Sequence, residues 1–142
     1  MVAHAKQSEA DEIARQPVVL VVEDEILLRR TTAEYMRLSG FLVIEARNAA
    51  DAIAVFASGE SADVVFSDVY MSAGPDGLML ARWLRRRHPE IPVMLTSGYG
   101  EAEGQAATEL VGEECFLAKP YRLAEVARRI RALLEEGRVE AC

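Results

Sequence analysis

Hydrophobic and polar positions along the chain switch repeatedly between two periods. After Pro17 the run VVLVVED is almost continuously apolar, the pattern of a strand covered on both faces. EILLRRTTAEYMRLSG follows with helical spacing at Leu28, Thr32, Tyr35 and Met36, and Gly40 marks its stop. FLVIEA predicts a second strand. NAADAIAVFASG predicts a helix capped by Asn48, with Ala49, Ala52, Ile53 and Phe56 on one stripe. DVVFSD is a third strand, and SAGPDG supplies turn residues after it.

The pattern continues in the second half. GLMLARWLRRRHP predicts a helix ended by Pro89, with Leu80, Ala81 and Leu84 facing inward, and PVMLTS predicts a fourth strand. EAEGQAATEL is only weakly helical, because Gly104 interrupts it and its apolar face is thin. CFLA is a short fifth strand. YRLAEVARRIRALLEEG closes the pattern with a stripe of Leu123, Val126, Ala127, Ile130 and Leu134. Strand and helix alternate five times, which predicts an α/β fold, a (βα)5 parallel sheet with helices on both faces. The domain occupies 17–137, between an N-terminal tail at 1–16, with one helical turn at Ser8, and a C-terminal tail at 138–142.

Composition narrows the function. A chain of 142 residues, 51% hydrophobic and 27% charged, has the makings of one soluble domain. The formal net charge of -7 argues against nucleic acid as a partner. No apolar run approaches the ~18 residues needed to cross a bilayer, so no membrane partner is expected. The acidic N-terminal stretch is not a signal peptide. Cys115 and Cys142 lack CxxC spacing and give no disulfide framework. A reducing, cytoplasmic setting fits, and Cys115 reads as a small apolar strand residue.

In a sheet of this kind, ligands bind at the carboxyl ends of the strands. Strand one ends in Glu23-Asp24 and strand three in Asp68. Strand four ends in Thr96-Ser97, and strand five runs into Lys119-Pro120. Carboxylates gathered on one rim repel one another, and burial adds a desolvation cost. Mg²⁺ relieves both, since it takes one or two carboxylates and keeps several waters. Thr96 and Lys119 are then free to hold an anion. A hard cation, an ammonium and a hydroxyl around a carboxylate are the parts needed to move a phosphoryl group onto it. Asp68 therefore reads as a nucleophile, not a solvated loop acid.

VVEDE, FSD, LTSG and LAKPY, in this order and spacing over roughly 17–135, resemble the response regulator receiver domain of bacterial two-component signalling. The resemblance implies a flavodoxin-like doubly wound sheet of strand order 2-1-3-4-5. It implies a phosphoacceptor at Asp68 that takes phosphate from a sensor histidine kinase. Mg²⁺ would be held by Glu23, Asp24, Asp68 and the backbone carbonyl of Tyr70. Thr96 and Lys119 would contact the phosphoryl oxygens, Thr96 and Phe116 would form the switch, and the Lys119-Pro120 peptide would be cis. The output would be a downstream protein or a histidine phosphotransfer partner, with no enzyme activity beyond self-dephosphorylation. TSGYG resembles a stand-alone, single-domain subgroup. Two departures stand out: Glu23 replaces the commoner Asp, and the loop MSAGPDG is one residue longer than the usual Met-Pro-x-Met-Asp-Gly and moves its proline.

Plainer readings stand beside these. Glu23 and Asp24 are also suited to capping a helix, Thr96 to an ordinary strand position, Lys119 to a solvated loop and Phe116 to the core. His4 and His88 are expected at the surface without partners. RRR at 85–87 and RRIR at 128–131 read as solvated helix faces, the latter also suited to an acidic partner. Trp83 is expected to pack in part. A dinucleotide-binding module is disfavoured because GYGEAEG follows the fourth strand and has Glu103 where a glycine belongs. An aspartyl-phosphate hydrolase would carry its nucleophile after strand one, where EDE lacks the arrangement. A receiver-like interaction module that is never phosphorylated is the remaining alternative.

Overall fold

Five β-strands run parallel in the order β2-β1-β3-β4-β5. They are β1 (Val18–Val22), β2 (Leu42–Ala46), β3 (Val64–Asp68), β4 (Val93–Ser97) and β5 (Phe116–Ala118). The helices between them are α1 (Ile26–Leu38), α2 (Ala49–Ala57), α3 (Asp76–Arg87), α4 (Glu101–Val111) and α5 (Leu123–Glu135). The computed structural model describes residues 16–72, 74, 76–98 and 101–135, with backbone alone at 101–103. The tails with the Ser8 turn, His4 and Cys142, and also Tyr99 and Gly100, lie outside the described residues.

The apolar runs become buried strands for the reason their composition suggests. Every residue of β3 and β4 is buried, as are Val19 to Val22 of β1, because helices cover both faces. Helix α1 packs with α5 on one face, while α2, α3 and α4 pack in sequence on the other. β2, one of the two edge strands, stays half open, with Leu42 40% exposed.

Local signals are realised with a few changes. Asn48 caps α2 by accepting from the Asp51 N–H at 2.8 Å, and Gly40 follows α1 with φ of 101°. The cap of α1 is Glu25, whose carboxylate accepts from the Leu27 N–H at 3.1 Å, so neither Glu23 nor Asp24 serves as that cap. On α5 Val126, Ala127, Ile130 and also Leu133 are buried, while Leu123 and Leu134 are half-buried. β5 begins at Phe116, one residue later than the pattern predicts. Cys115 belongs to a 3-10 turn, Glu113–Cys115, where it is buried, which corrects its reading as a strand residue.

Two further expectations are corrected by packing. Helix α4 runs unbroken through Gly104. A Cβ at Gly104 would lie 3.4 Å from Cζ of Phe116, so the glycine admits that ring closely, and Ala107 and Val111 bury the helix on the sheet. Tertiary contact thus overrides weak propensity. His88 is half-buried, not a lone surface residue: its ring lies 4.9 Å from Phe56 and 5.6 Å from Trp83, and Nδ1 is 3.7 Å from the Glu90 carboxylate.

Candidate functional site

The parallel register brings the expected residues to one rim. Asp68 is the last residue of β3 and pairs with Thr96 of β4, and the Val69 N–H donates to the Thr96 carbonyl at 2.8 Å. The Lys119 N–H donates to the Ser97 carbonyl at 3.0 Å, which fixes the chain just beyond β5, and the Lys119-Pro120 peptide is cis. Side chains that are distant in sequence therefore share one crevice because strand ends are adjacent, as expected for this topology.

At its centre the Lys119 ammonium donates to Oδ2 of Asp68 at 2.9 Å. The Asp68 side chain is only 8% exposed. Burial works against the Lys119 charge, but the hydrogen bond and the charge of Asp68 outweigh it, so the ammonium is held more firmly than usual. Glu23, also buried, is pushed up to about 7. Desolvation is the main cause. The Glu25 N–H, which donates to Glu23 Oε2 at 3.0 Å, and Lys119 pull the other way, while Asp68 and Asp24 add to the rise. Asp24 goes in the opposite direction, held ionised chiefly by Ser72, whose hydroxyl and N–H each donate to Oδ2 at 2.7 Å.

Thr96 carries the clearest signal. Its side chain is buried, and Oγ1 is the one buried side-chain N or O without a hydrogen-bond partner among the described residues. Leaving such a group unpaired is unfavourable by about 1–3 kcal/mol, and native structures keep one where a ligand supplies the partner.

Phe116 is half-buried against the core with its ring beside Gly104, and its carbonyl accepts from Arg129 at 2.9 Å. Tyr70 sits half-buried two residues beyond Asp68. In the following loop Met71 and Gly74 exchange backbone hydrogen bonds of 2.9 and 2.8 Å.

Several contributors were not singled out from the sequence. A Cβ at Gly77 would lie 2.0 Å from the Asp68 carbonyl oxygen, so only glycine fits there; the signal was the DG pair after FSD, which reads as a turn. A Cβ at Gly98 would lie 3.3 Å from Cδ of Lys119, so the glycine leaves room for the lysine stem. Arg29 is buried, donating to Glu45 at 3.2 Å and to the Glu23 carbonyl at 3.1 Å, and so braces the acidic turn from behind. Nothing in the helical spacing marks an arginine for burial. Of the basic stretches, 85–87 is exposed as expected, whereas Arg131 donates to the Ser39 carbonyl and lies over the Phe41 ring.

The comparisons with known proteins agree with this geometry. Residues 19–131 match the sequence model of the response regulator receiver domain. The chain belongs to that family. It is 32% identical over 132 residues to the sensor kinase CckA of Brucella abortus (strain 2308), covering 92% of this chain and 14% of that protein. It is 36% identical over 122 residues to the probable transcriptional regulatory protein TcrX of Mycobacterium tuberculosis, covering 84% of this chain and 50% of that one. The receiver therefore spans half or less of these two relatives. Among solved structures, a response regulator receiver protein from Sinorhizobium medicae superposes with a TM-score of 0.77 at 27% identity, over 87% of this chain and 98% of that one. A CheY-like receiver domain protein from Methanospirillum hungatei, 19% identical over 88% of this chain and 98% of that one, shares the fold at the same TM-score.

The receiver's donor set suits a hard divalent cation. Asp68 and Asp24 add to the cost of ionising Glu23 in its buried position. A positive charge placed among them removes that repulsion. As the side chains stand, no group of three His, Cys, Asp or Glu among the described residues is drawn together closely enough to hold an ion. The reason is visible: Asp24 is turned onto Ser72 and Glu23 onto the Glu25 N–H.

Proposed function

We propose that Asp68 accepts a phosphoryl group from the phosphohistidine of a sensor histidine kinase in a Mg²⁺-dependent reaction. The receiver then signals by changing its protein contacts. The observation that carries this reading is the buried, unpartnered Thr96 hydroxyl beside an Asp68 carboxylate already paired to Lys119.

Each residue has a defined task. An oxygen of the Asp68 carboxylate attacks phosphorus while the bond from phosphorus to the imidazole nitrogen of the donor breaks, leaving neutral histidine after proton uptake. Lys119 shifts from the carboxylate to a phosphoryl oxygen, which the new acyl phosphate brings within its reach. The Thr96 hydroxyl donates to another phosphoryl oxygen and so gains the partner it lacks. Glu23, Asp24, Asp68 and the Tyr70 carbonyl would hold Mg²⁺, which neutralises phosphoryl charge when bound. Movement of Thr96 is passed to α4 and Phe116, which border it, and these form the switch.

Downstream, the partner is an effector protein or a histidine phosphotransfer protein that takes the phosphate onward. Ile26 and Leu27, 50% and 74% exposed next to the acidic turn, provide apolar surface for docking close to Asp68. The net charge of -7 disfavours nucleic acid as a direct partner. Among the described residues no helix is long and apolar enough to cross a membrane. A cytoplasmic location belongs to the proposal.

Incubation with Mg²⁺ and acetyl phosphate, followed by mass mapping, tests the chemistry. A hydroxylamine-sensitive adduct at Asp68 is expected, lost in Asp68→Asn and in chelator. Labelling of the variant at another residue, or labelling without metal, would defeat the assignment.

A further inference from the structure

The loop after β3 reaches back to the acidic turn through Ser72. Ser72 donates twice to one carboxylate oxygen, Oδ2 of Asp24, through its backbone N–H and its hydroxyl, both at 2.7 Å. With the loop's proline displaced to position 75, residue 72 keeps an N–H that a proline would lack. Hydrogen bonds to an ionised carboxylate are among the stronger ones. Here two of them fall on a group that the cation would need.

The contact is placed where it can compete. Asp24 and Ser72 line the wall of an open cleft of about 760 Å³ together with Arg47, Asn48 and Met71, so a hydrated ion has access to the carboxylate. Glu23 and Asp68 are engaged elsewhere, with the Glu25 N–H and Lys119. Asp24 is thus the one acid of the three that is held away by the loop carrying Tyr70. Met71 and Gly74 tie that loop to itself immediately beyond Tyr70, so release of Ser72 frees one anchor while the other persists.

We infer that Ser72 is a latch on Asp24: it holds the carboxylate away from the metal position, so that Mg²⁺ binds only by displacing Ser72. This rests on the proposed Mg²⁺ site. Ser72 is a positioning residue, and its effect is on metal affinity and on the loop, with no role in the phosphoryl step. It follows that the metal-free receiver keeps the loop fastened and that metal binding loosens the turn at Ser72.

Calorimetric titration of the full chain with MgCl2 tests the latch without reference to phosphorylation. Ser72→Ala, which removes the hydroxyl donor and keeps the N–H, is expected to bind Mg²⁺ about threefold to tenfold more tightly than wild type, the worth of one hydrogen bond. Ser72→Thr, which keeps the hydroxyl, is expected to restore the wild-type constant. In the wild type, NMR amide exchange at Ser72 is expected to quicken when Mg²⁺ is added. Unchanged or weaker binding by Ser72→Ala, or slower exchange at Ser72 with Mg²⁺, overturns the latch while leaving the Mg²⁺ site intact. Absence of any Mg²⁺ binding by the wild type overturns the metal site and the latch together.

Discussion

Asp68 and Thr96 are register partners at the carboxyl ends of β3 and β4, with the Val69 N–H bonded to the Thr96 carbonyl across the same step. The backbone pairing sets the Asp68 carboxylate and an unpartnered hydroxyl side by side.

Thr96→Val replaces that hydroxyl with a methyl of nearly the same size. Removing an unsatisfied buried polar atom is expected to leave the resting receiver as stable as wild type or more stable, by about 1 kcal/mol. The stabilisation gained on adding a beryllofluoride phosphoryl mimic with Mg²⁺ is expected to shrink. Thermal unfolding of both proteins, with and without the mimic, reads both effects. A variant clearly less stable at rest would mean that Thr96 is an ordinary packed strand residue.

Glu23 predicts a pH dependence with a definite sign. Its pKa rises from 4.5 in the reference state to about 7 in the folded protein. The folded state therefore binds the proton more tightly than the unfolded chain. The stabilisation this provides is fully present below about pH 4.5 and is lost as pH rises through about 7, on the order of 3 kcal/mol in all. Urea unfolding in chelator from pH 5 to 8 is expected to show this loss in wild type relative to Glu23→Gln. Mg²⁺ affinity is expected to fall below pH 7, with proton release on binding. A difference between the two proteins that does not change with pH would contradict the burial of Glu23 as a strained acid.

Gly77→Ala tests how closely α3 approaches Asp68. The new methyl would stand 2.0 Å from the Asp68 carbonyl oxygen, a backbone atom that cannot swing aside. A loss of about 3 kcal/mol or more in unfolding free energy is expected, in line with severe overpacking. A loss under about 1 kcal/mol would show that the turn yields easily.

Helix α4 is the element best placed to respond to the site. It begins shortly after Thr96 and buries fully only Ala107 and Val111 among its described side chains. Helix α5 buries Val126, Ala127, Ile130 and Leu133. Amides of 98–110 are expected to exchange fastest within the folded domain, and to slow when the phosphoryl mimic binds. Equal protection of α4 and α5, with no effect of the mimic, would remove α4 as the output element.

The amino-acid order alone set the succession of strands and helices, because two-sided burial writes apolar runs at 18–22, 64–66 and 93–95. It determined the identity of the rim residues too, since in a parallel sheet of this kind the residue that ends a strand is the residue that faces the crevice. Where side-chain atoms point was decided only in three dimensions. Asp24 turning onto Ser72, Arg29 pairing with Glu45 and Gly104 receiving Phe116 each depend on partners more than ten positions away. Arg29 reaches the acidic turn from within six residues, but it is held there by Glu45 from the neighbouring strand. Periodicity reports which face of an element is buried; it carries no information about which polar atoms meet once the faces close. That is settled by packing and by the need of each buried donor and acceptor for a partner.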